Sequence, residues 1–225
     1  MFLLIPVGAG VVALLGAVIE PLLLRPFYRR AEEYQLLVTF GLLLILEDVI
    51  RLLWGGLPLS ADPVMDALPI IRIAGLIYPA YNLFVIGIGV VAALLLWVGI
   101  YRTKFGVMLR ATSQDRRMAS ALGINVGLVY VSAFAIGCFM AGLGGAIIVP
   151  SQAAVLGMGF DALILAFVVV IGGLGSLQGA LVGALIVSFV RTAGIQFFPE
   201  IELAVLYLIA ALVLLVKPTG LFGDA

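Results

Sequence analysis

The chain alternates long apolar runs with short polar ones, and most of the runs have the length a bilayer demands. Crossing about 30 Å of hydrocarbon takes about 20 mainly apolar residues in a helix. Phe2 to Ile19, Leu36 to Trp54, Tyr81 to Ile100 and Val126 to Val149 each meet that requirement. So does Ile201 to Val216, which Lys217 and Pro218 stop. Two shorter runs lie between them. One extends from Asp161, read as an N-cap, to Ile171, and the other from Leu177 to Val190, with the turn GGLGS (Gly172 to Ser176) separating them. A tilted or broken pair fits that pattern as well as two full spans do. The expected fold is all-α: a polytopic transmembrane helical bundle of about seven hydrophobic segments, two of them short or broken, in a single domain over residues 1–225.

The polar stretches define the connections. Glu20 to Gln35 interleaves Arg25, Arg29 and Arg30 with Glu32 and Glu33 and reads as a short exposed loop. Gly55 to Pro79 carries Pro58, Pro63 and Pro69 and reads as a loop with one interfacial turn at most. Arg102 to Asn125 is the longest stretch that lipid would reject, with five of the twelve Lys and Arg against one acid, Asp115. Basic residues collect on the cytoplasmic side of membrane proteins. Alternating the segments about a cytoplasmic 102–125 loop puts nine basic residues inside, Lys217 near the C-terminus among them, and only Arg72 and Arg191 outside, with Arg51 within or near the end of a helix. The same alternation puts Met1 outside, which reads best as helices missing before it. Phe2 to Ile19 makes a poor signal peptide, because no basic residue precedes it.

Composition narrows the chemistry. The chain is 64% hydrophobic and 11% charged, with a mean hydropathy of +1.31, where soluble domains run at about 45–50% apolar and about 25% charged. There is no histidine and a single cysteine, Cys138. That composition removes His-based acid–base chemistry, His or Cys metal centres and a disulfide framework. The glycine-rich turn at Gly172 lacks the Gly-Lys-Ser/Thr ending of a phosphate-binding loop. The expected surroundings are the lipid bilayer, with no nucleic acid.

Three groups of residues remain. Gly175, Gly179 and Gly183 recur every four residues beside Ala180, Ala184 and Ser188, and Ala133, Gly137, Ala141 and Gly145 form a second ladder. Four-residue spacing stacks small residues on one helix face, where another backbone packs closely, although Gly and Ala are common in membrane helices anyway. Glu47, Asp48 and Arg51 fall inside the second run, with Glu47 about 17 Å beyond Leu36. Charge at that depth is costly and is normally paired or faces water. Glu47 and Arg51, four apart, suit either an internal ion pair or a polar pathway. In the basic loop, Met108, Leu109, Met118, Ala119 and Leu122 recur at helical spacing, and Gly123 stands where a glycine stops a helix. Such a helix would lie on the membrane or dock in a partner's groove, and spacing leaves both open.

The stretches LRATSQDRRMASALGIN (109–125), FVVVIGGLGSLQGALVGALIVSF (167–189), KPTGLFG (217–223) and FGLLLILEDVIRLLWGG (40–56) together resemble the permease subunits of branched-chain amino acid ABC importers. The resemblance runs in unbroken order over most of the chain. It implies that loop 102–125 holds a helix coupling the membrane domain to a cytoplasmic ATPase, with Arg110, Asp115, Arg116, Arg117, Ala119 and Gly123 in the coupling segment. The Glu-Ala-Ala, three residues, Gly signature of such importers falls on Arg117, Met118, Ala119 and Gly123, of which only Ala119 and Gly123 match. The resemblance further implies two ATPase subunits that use ATP-Mg, a second homologous permease and an external substrate-binding protein in a bacterial or archaeal inner membrane. This chain itself would bind no cofactor and catalyse no reaction. Leu, Ile and Val are the implied substrates, and related permeases carry other amino acids, amides or urea. The competing readings are a sugar permease of the same superfamily, an ion-coupled secondary transporter using Glu47, Asp48 and Arg51, and a non-transporting scaffold or fragment.

Overall fold

The computed structural model describes residues 3–28, 30–61, 70–73, 76–169, 176–197 and scattered positions between 204 and 215. The turn residues Gly172 to Gly175, Arg29, most of the last apolar run and the KPTGLFG stretch lie outside the described residues. The chain divides into two compact units, Met1–Leu156 and Gly157–Ala225.

The first unit is helical, as expected of a membrane bundle, apart from one hairpin. Helix α1 (Leu4–Ile19) runs on through a π-helical turn at Glu20–Leu24 and a 3-10 turn at Arg25–Phe27. The exposed loop expected from Glu20 therefore starts about two turns later, and Glu20 is fully buried. Pro21 and Pro26 each sit near the start of a new turn type, where a missing N–H costs little. Helix α2 (Glu32–Trp54) ends at Gly55, whose φ of 84° only glycine adopts cheaply. Strands β1 (Ile70–Ile73) and β2 (Leu76–Pro79) pair antiparallel, with Ile71 opposite Tyr78. This hairpin corrects the all-loop reading of Gly55 to Pro79. Its β-branched and aromatic residues suit a pleated ribbon, and its one proline, Pro79, stands at the last position of β2.

Helix α3 (Ala80–Arg102) leads into α4 (Lys104–Gln114), α5 (Arg116–Ala121) and α6 (Val126–Ile148). The firmest packing is between α1 and α6, which run antiparallel. Gly142 lets Ala9 and Val12 approach: a Cβ there would lie 2.9 Å from the Val12 Cβ and 3.1 Å from the Ala9 Cα. One turn along, a Cβ on Gly16 would meet the Cys138 Cβ at 2.8 Å. The sequence ladder named Gly137 and Gly145 for such contacts, but both face open space here, and the close approach is made at Cys138 and Gly142 instead.

In the second unit, α7 (Met158–Val169) and α8 (Leu177–Phe197) pack together. Helix α7 starts at Met158, after Gly157 with φ 96°. Asp161 is thus in the first turn and not the cap, still placed where the helix dipole favours an acid. Ser176 accepts from the Gly179 N–H at 3.1 Å and caps α8. At 21 residues α8 is a full span and not a short segment, because the polar Arg191 and Thr192 are carried within it. Gly179, Gly183 and Val187 on it are buried, while Gly175 lies outside the described residues.

Among the described residues four helical stretches are long and apolar enough to cross a membrane: Leu4–Phe27, Ala80–Arg102, Val126–Ile148 and Leu177–Phe197. Helix α2 has the length but carries Glu47, Asp48 and Arg51 in its apolar stretch.

Candidate functional site

The basic loop is folded. Thr103, extended at φ −107° and ψ 158°, ends α3 and caps α4, its Oγ1 accepting from the Gly106 N–H at 3.2 Å. Gly106 faces the end of α3 so closely that a Cβ would overlap the Ile100 carbonyl. The Arg110 guanidinium donates to that same carbonyl and stacks 5.4 Å from the Tyr101 ring centroid. Arg110 was expected to belong to the coupling segment, but it is turned inward and ties α4 to the C-terminal carbonyls of α3.

Asp115, extended at φ −147° and ψ 105°, separates α4 from α5. Its carboxylate accepts from the N–H groups of Arg117 at 2.8 Å and Met118 at 3.1 Å. Gly123, at φ 84°, closes α5: its N–H donates to the Ser120 carbonyl, and the Ile124 N–H to that of Ala119. Asn125 then caps α6, accepting from the Leu128 N–H at 3.1 Å. Every helix start in the loop therefore has its own side-chain cap. Ala119 is only 2% exposed, whereas Met118 is 60% and Leu122 74% exposed. Met118 and Leu122 thus form an outward apolar edge, and Ala119 faces inward.

Where this loop meets the end of α1 lies a cavity of about 1290 Å³, lined among others by Arg25, Tyr28, Arg116, Arg117, Gly127 and Tyr130. Tyr28 and Tyr130 are 5.3 Å apart, and the Arg116 guanidinium covers both rings at 5.7 and 4.9 Å. Arg25 presses on Gly127 so tightly that a Cβ there would meet its Cζ at 2.8 Å. Beside this cluster Glu20 is buried, and neither carboxylate oxygen has a hydrogen-bond partner of normal geometry. Burial, then the nearby Glu20 carboxylate, push the Tyr28 phenol up to about 12, against the lowering influence of Arg116. Sequence reasoning had placed Glu20 in solvent and missed Tyr28 and Tyr130. The apolar residues on both sides of Glu20, VIE followed by LLL after Pro21, were the available signal.

Glu47 is half-buried, Asp48 and Arg51 are exposed on α2, and among the described residues no ion pair joins Glu47 to Arg51. At the end of the unit away from the loop, α3 and α6 enclose a groove of about 520 Å³. Its walls include Val85, Gly89, Met140 and Gly144, with Asn82 and Ser151 supplying polar groups.

The family model for the branched-chain amino acid transport system, permease component, matches residues 1–216. The chain belongs to that family. The high-affinity branched-chain amino acid transport system permease protein LivH of Escherichia coli K12 is 36% identical over 135 residues, covering 59% of this chain and 44% of that protein. The permease protein BraD of Pseudomonas aeruginosa, from a system of the same description, is 33% identical over 150 residues, covering 65% of this chain and 48% of its own length. The chain thus spans about half the length of the relatives it matches. No solved structure matches it. Membership agrees with the resemblance carried by the loop and the glycine-rich segment, and with a multi-pass membrane protein of apolar helices.

Proposed function

We propose that the chain is a membrane-spanning subunit of an ATP-driven importer of branched-chain or related amino acids in an inner membrane. ATP is hydrolysed in separate cytoplasmic subunits, and a second permease and an external binding protein complete the assembly. The loop 102–125 and the C-terminus face the cytoplasm. The observation that carries this reading, beside family membership, is the loop itself. It is two capped helices, braced on α3 by Arg110 and leading into α6 through the Asn125 cap, that present Met118 and Leu122 outward. A braced exposed edge suits rigid docking to a partner that changes shape, whereas a topology anchor needs only positive charge. The groove between α3 and α6 is this chain's contribution to the translocation path.

The test is crosslinking from cysteines placed at Met118 and Leu122, in a background lacking Cys138, within the assembled complex. Crosslinks to the ATPase that change with nucleotide, together with binding-protein-dependent uptake of labelled leucine, support the proposal. Uptake driven by an ion gradient without the ATPase would overturn it.

A further inference from the structure

The cavity at the foot of α1 and α6 has features that the importer reading does not use. Three guanidinium groups, those of Arg25, Arg116 and Arg117, line it, and among the described residues no carboxylate does. Glu20, whose charge acts on Tyr28, is fully buried and is not part of the lining. Arg116 is held over the two tyrosine rings, so its orientation is set by stacking, and among the described residues no acid pairs with its N–H groups. Planar, preoriented guanidinium groups are the usual means of holding phosphate oxygens.

The position of the cavity narrows the source of the phosphate. Arg25 lies in the last turn of the span Leu4–Phe27, and Gly127 and Tyr130 lie in the first turns of the span Val126–Ile148. The cavity therefore opens at the depth where an apolar helix surface gives way to headgroups, and its two tyrosines are of the type that marks that boundary. Exposed Leu22 follows directly on Pro21, a lining residue, and offers apolar surface to an acyl chain. The two faces of α5 are also distinct: Arg116, Arg117 and Ser120 line the cavity, while Met118 and Leu122 do not. An occupant of the cavity leaves the exposed apolar residues of α5 free.

We infer that this cavity is a binding site for the phosphate headgroup of an anionic phospholipid, held by Arg25, Arg116 and Arg117. The inference rests on the chain's place in a membrane and not on its being an importer.

The test is lipid retention by the purified full chain, exchanged into equal amounts of phosphatidylglycerol and phosphatidylcholine and weighed by native mass spectrometry. The wild type is expected to keep phosphatidylglycerol in preference to phosphatidylcholine. The preference should fall by about fivefold per arginine removed, in the exposed Arg117→Gln alone and further in Arg25→Gln/Arg117→Gln. Arg102→Gln/Lys104→Gln removes as much charge from the same loop outside the cavity and should keep the preference. Equal retention of the two lipids by the wild type would overturn the site, and is what an acidic protein segment as the true occupant predicts. An unchanged preference in the folded Arg117→Gln variant would also overturn it. Inorganic phosphate alone is the remaining arm. If it protects the chain against heat as well as phosphatidylglycerol does, the ligand is free phosphate and the lipid assignment fails.

Discussion

Tyr81, in the first turn of α3, donates a 2.6 Å hydrogen bond from its hydroxyl to the carbonyl oxygen of Ile147, in the last turn of α6. Tyr81 is fully buried, and the Ile147 carbonyl is one of the four at a helix end that no backbone N–H in the same helix can reach. The bond therefore fastens two spans at the end away from the basic loop. Tyr81→Phe should lower stability by about 1–3 kcal/mol, the range for orphaning a buried acceptor. Thermal unfolding in detergent checks it, and an unchanged midpoint would mean that the carbonyl finds another donor.

Two glycines one helix face apart should respond in opposite directions. Gly142→Ala puts a methyl against Val12 and Ala9 and should destabilise by about 1–3 kcal/mol. Gly137→Ala meets nothing within 4 Å and should be neutral or stabilising by up to about 1 kcal/mol, from helix propensity alone. Denaturation of the two variants side by side distinguishes this register from the ladder through Gly137 and Gly145.

Tyr28 should titrate late. Its phenol is raised from 10.0 to about 12, so the neutral form is the one the fold favours. The stability this contributes is complete below pH 10 and is lost as pH rises through about 12. Subtracting the phenolate absorbance of Tyr28→Phe isolates this ring among the tyrosines. Glu20→Gln removes the second-ranked cause and should move the transition down, while burial, the larger cause, keeps it above 10.0. A transition at the ordinary value in the wild type would contradict the burial of this ring.

Filling the α3–α6 groove should stop transport without unfolding the chain. Gly144 lines the groove, and a Cβ there meets nothing within 4 Å. Gly144→Leu therefore adds bulk into open space. In the assembled importer, labelled-leucine uptake should fall by at least about tenfold, the low end of the about 10–200-fold that one methylene in an apolar pocket is worth, with the unfolding midpoint retained. Full uptake by a folded Gly144→Leu protein would remove the groove from the path.

Much of this fold could be read before any coordinates, and the misreadings have physical causes. The spans from Tyr81 and Val126 follow from hydropathy, because lipid imposes length and polarity together. The stop at Gly123 was legible because few residues other than glycine accept its backbone angle. Glu20 was misplaced because a charge was taken to end a span, whereas a π turn carries the helix over Pro21 and the carboxylate is fully buried. The ladder in α6 was found one row away from the true contact. Four-residue spacing generates parallel rows of small residues, and only the partner helix chooses among them. Arg110 gave no hint of its inward turn, since the carbonyl it meets is ten residues away and belongs to backbone, not to a side chain.

From Ala80 to Ala121 the chain is three helical rods with only one non-helical residue at each junction, Thr103 and then Asp115. A junction of one residue has two soft torsions and almost no slack, so neighbouring rods can pivot but cannot be pulled apart. Both junction residues also cap the rod that follows, which ties each pivot to the integrity of a helix start. A push on α5 would therefore reach α3 as a change of angle, as in a crank, with little lost along the way.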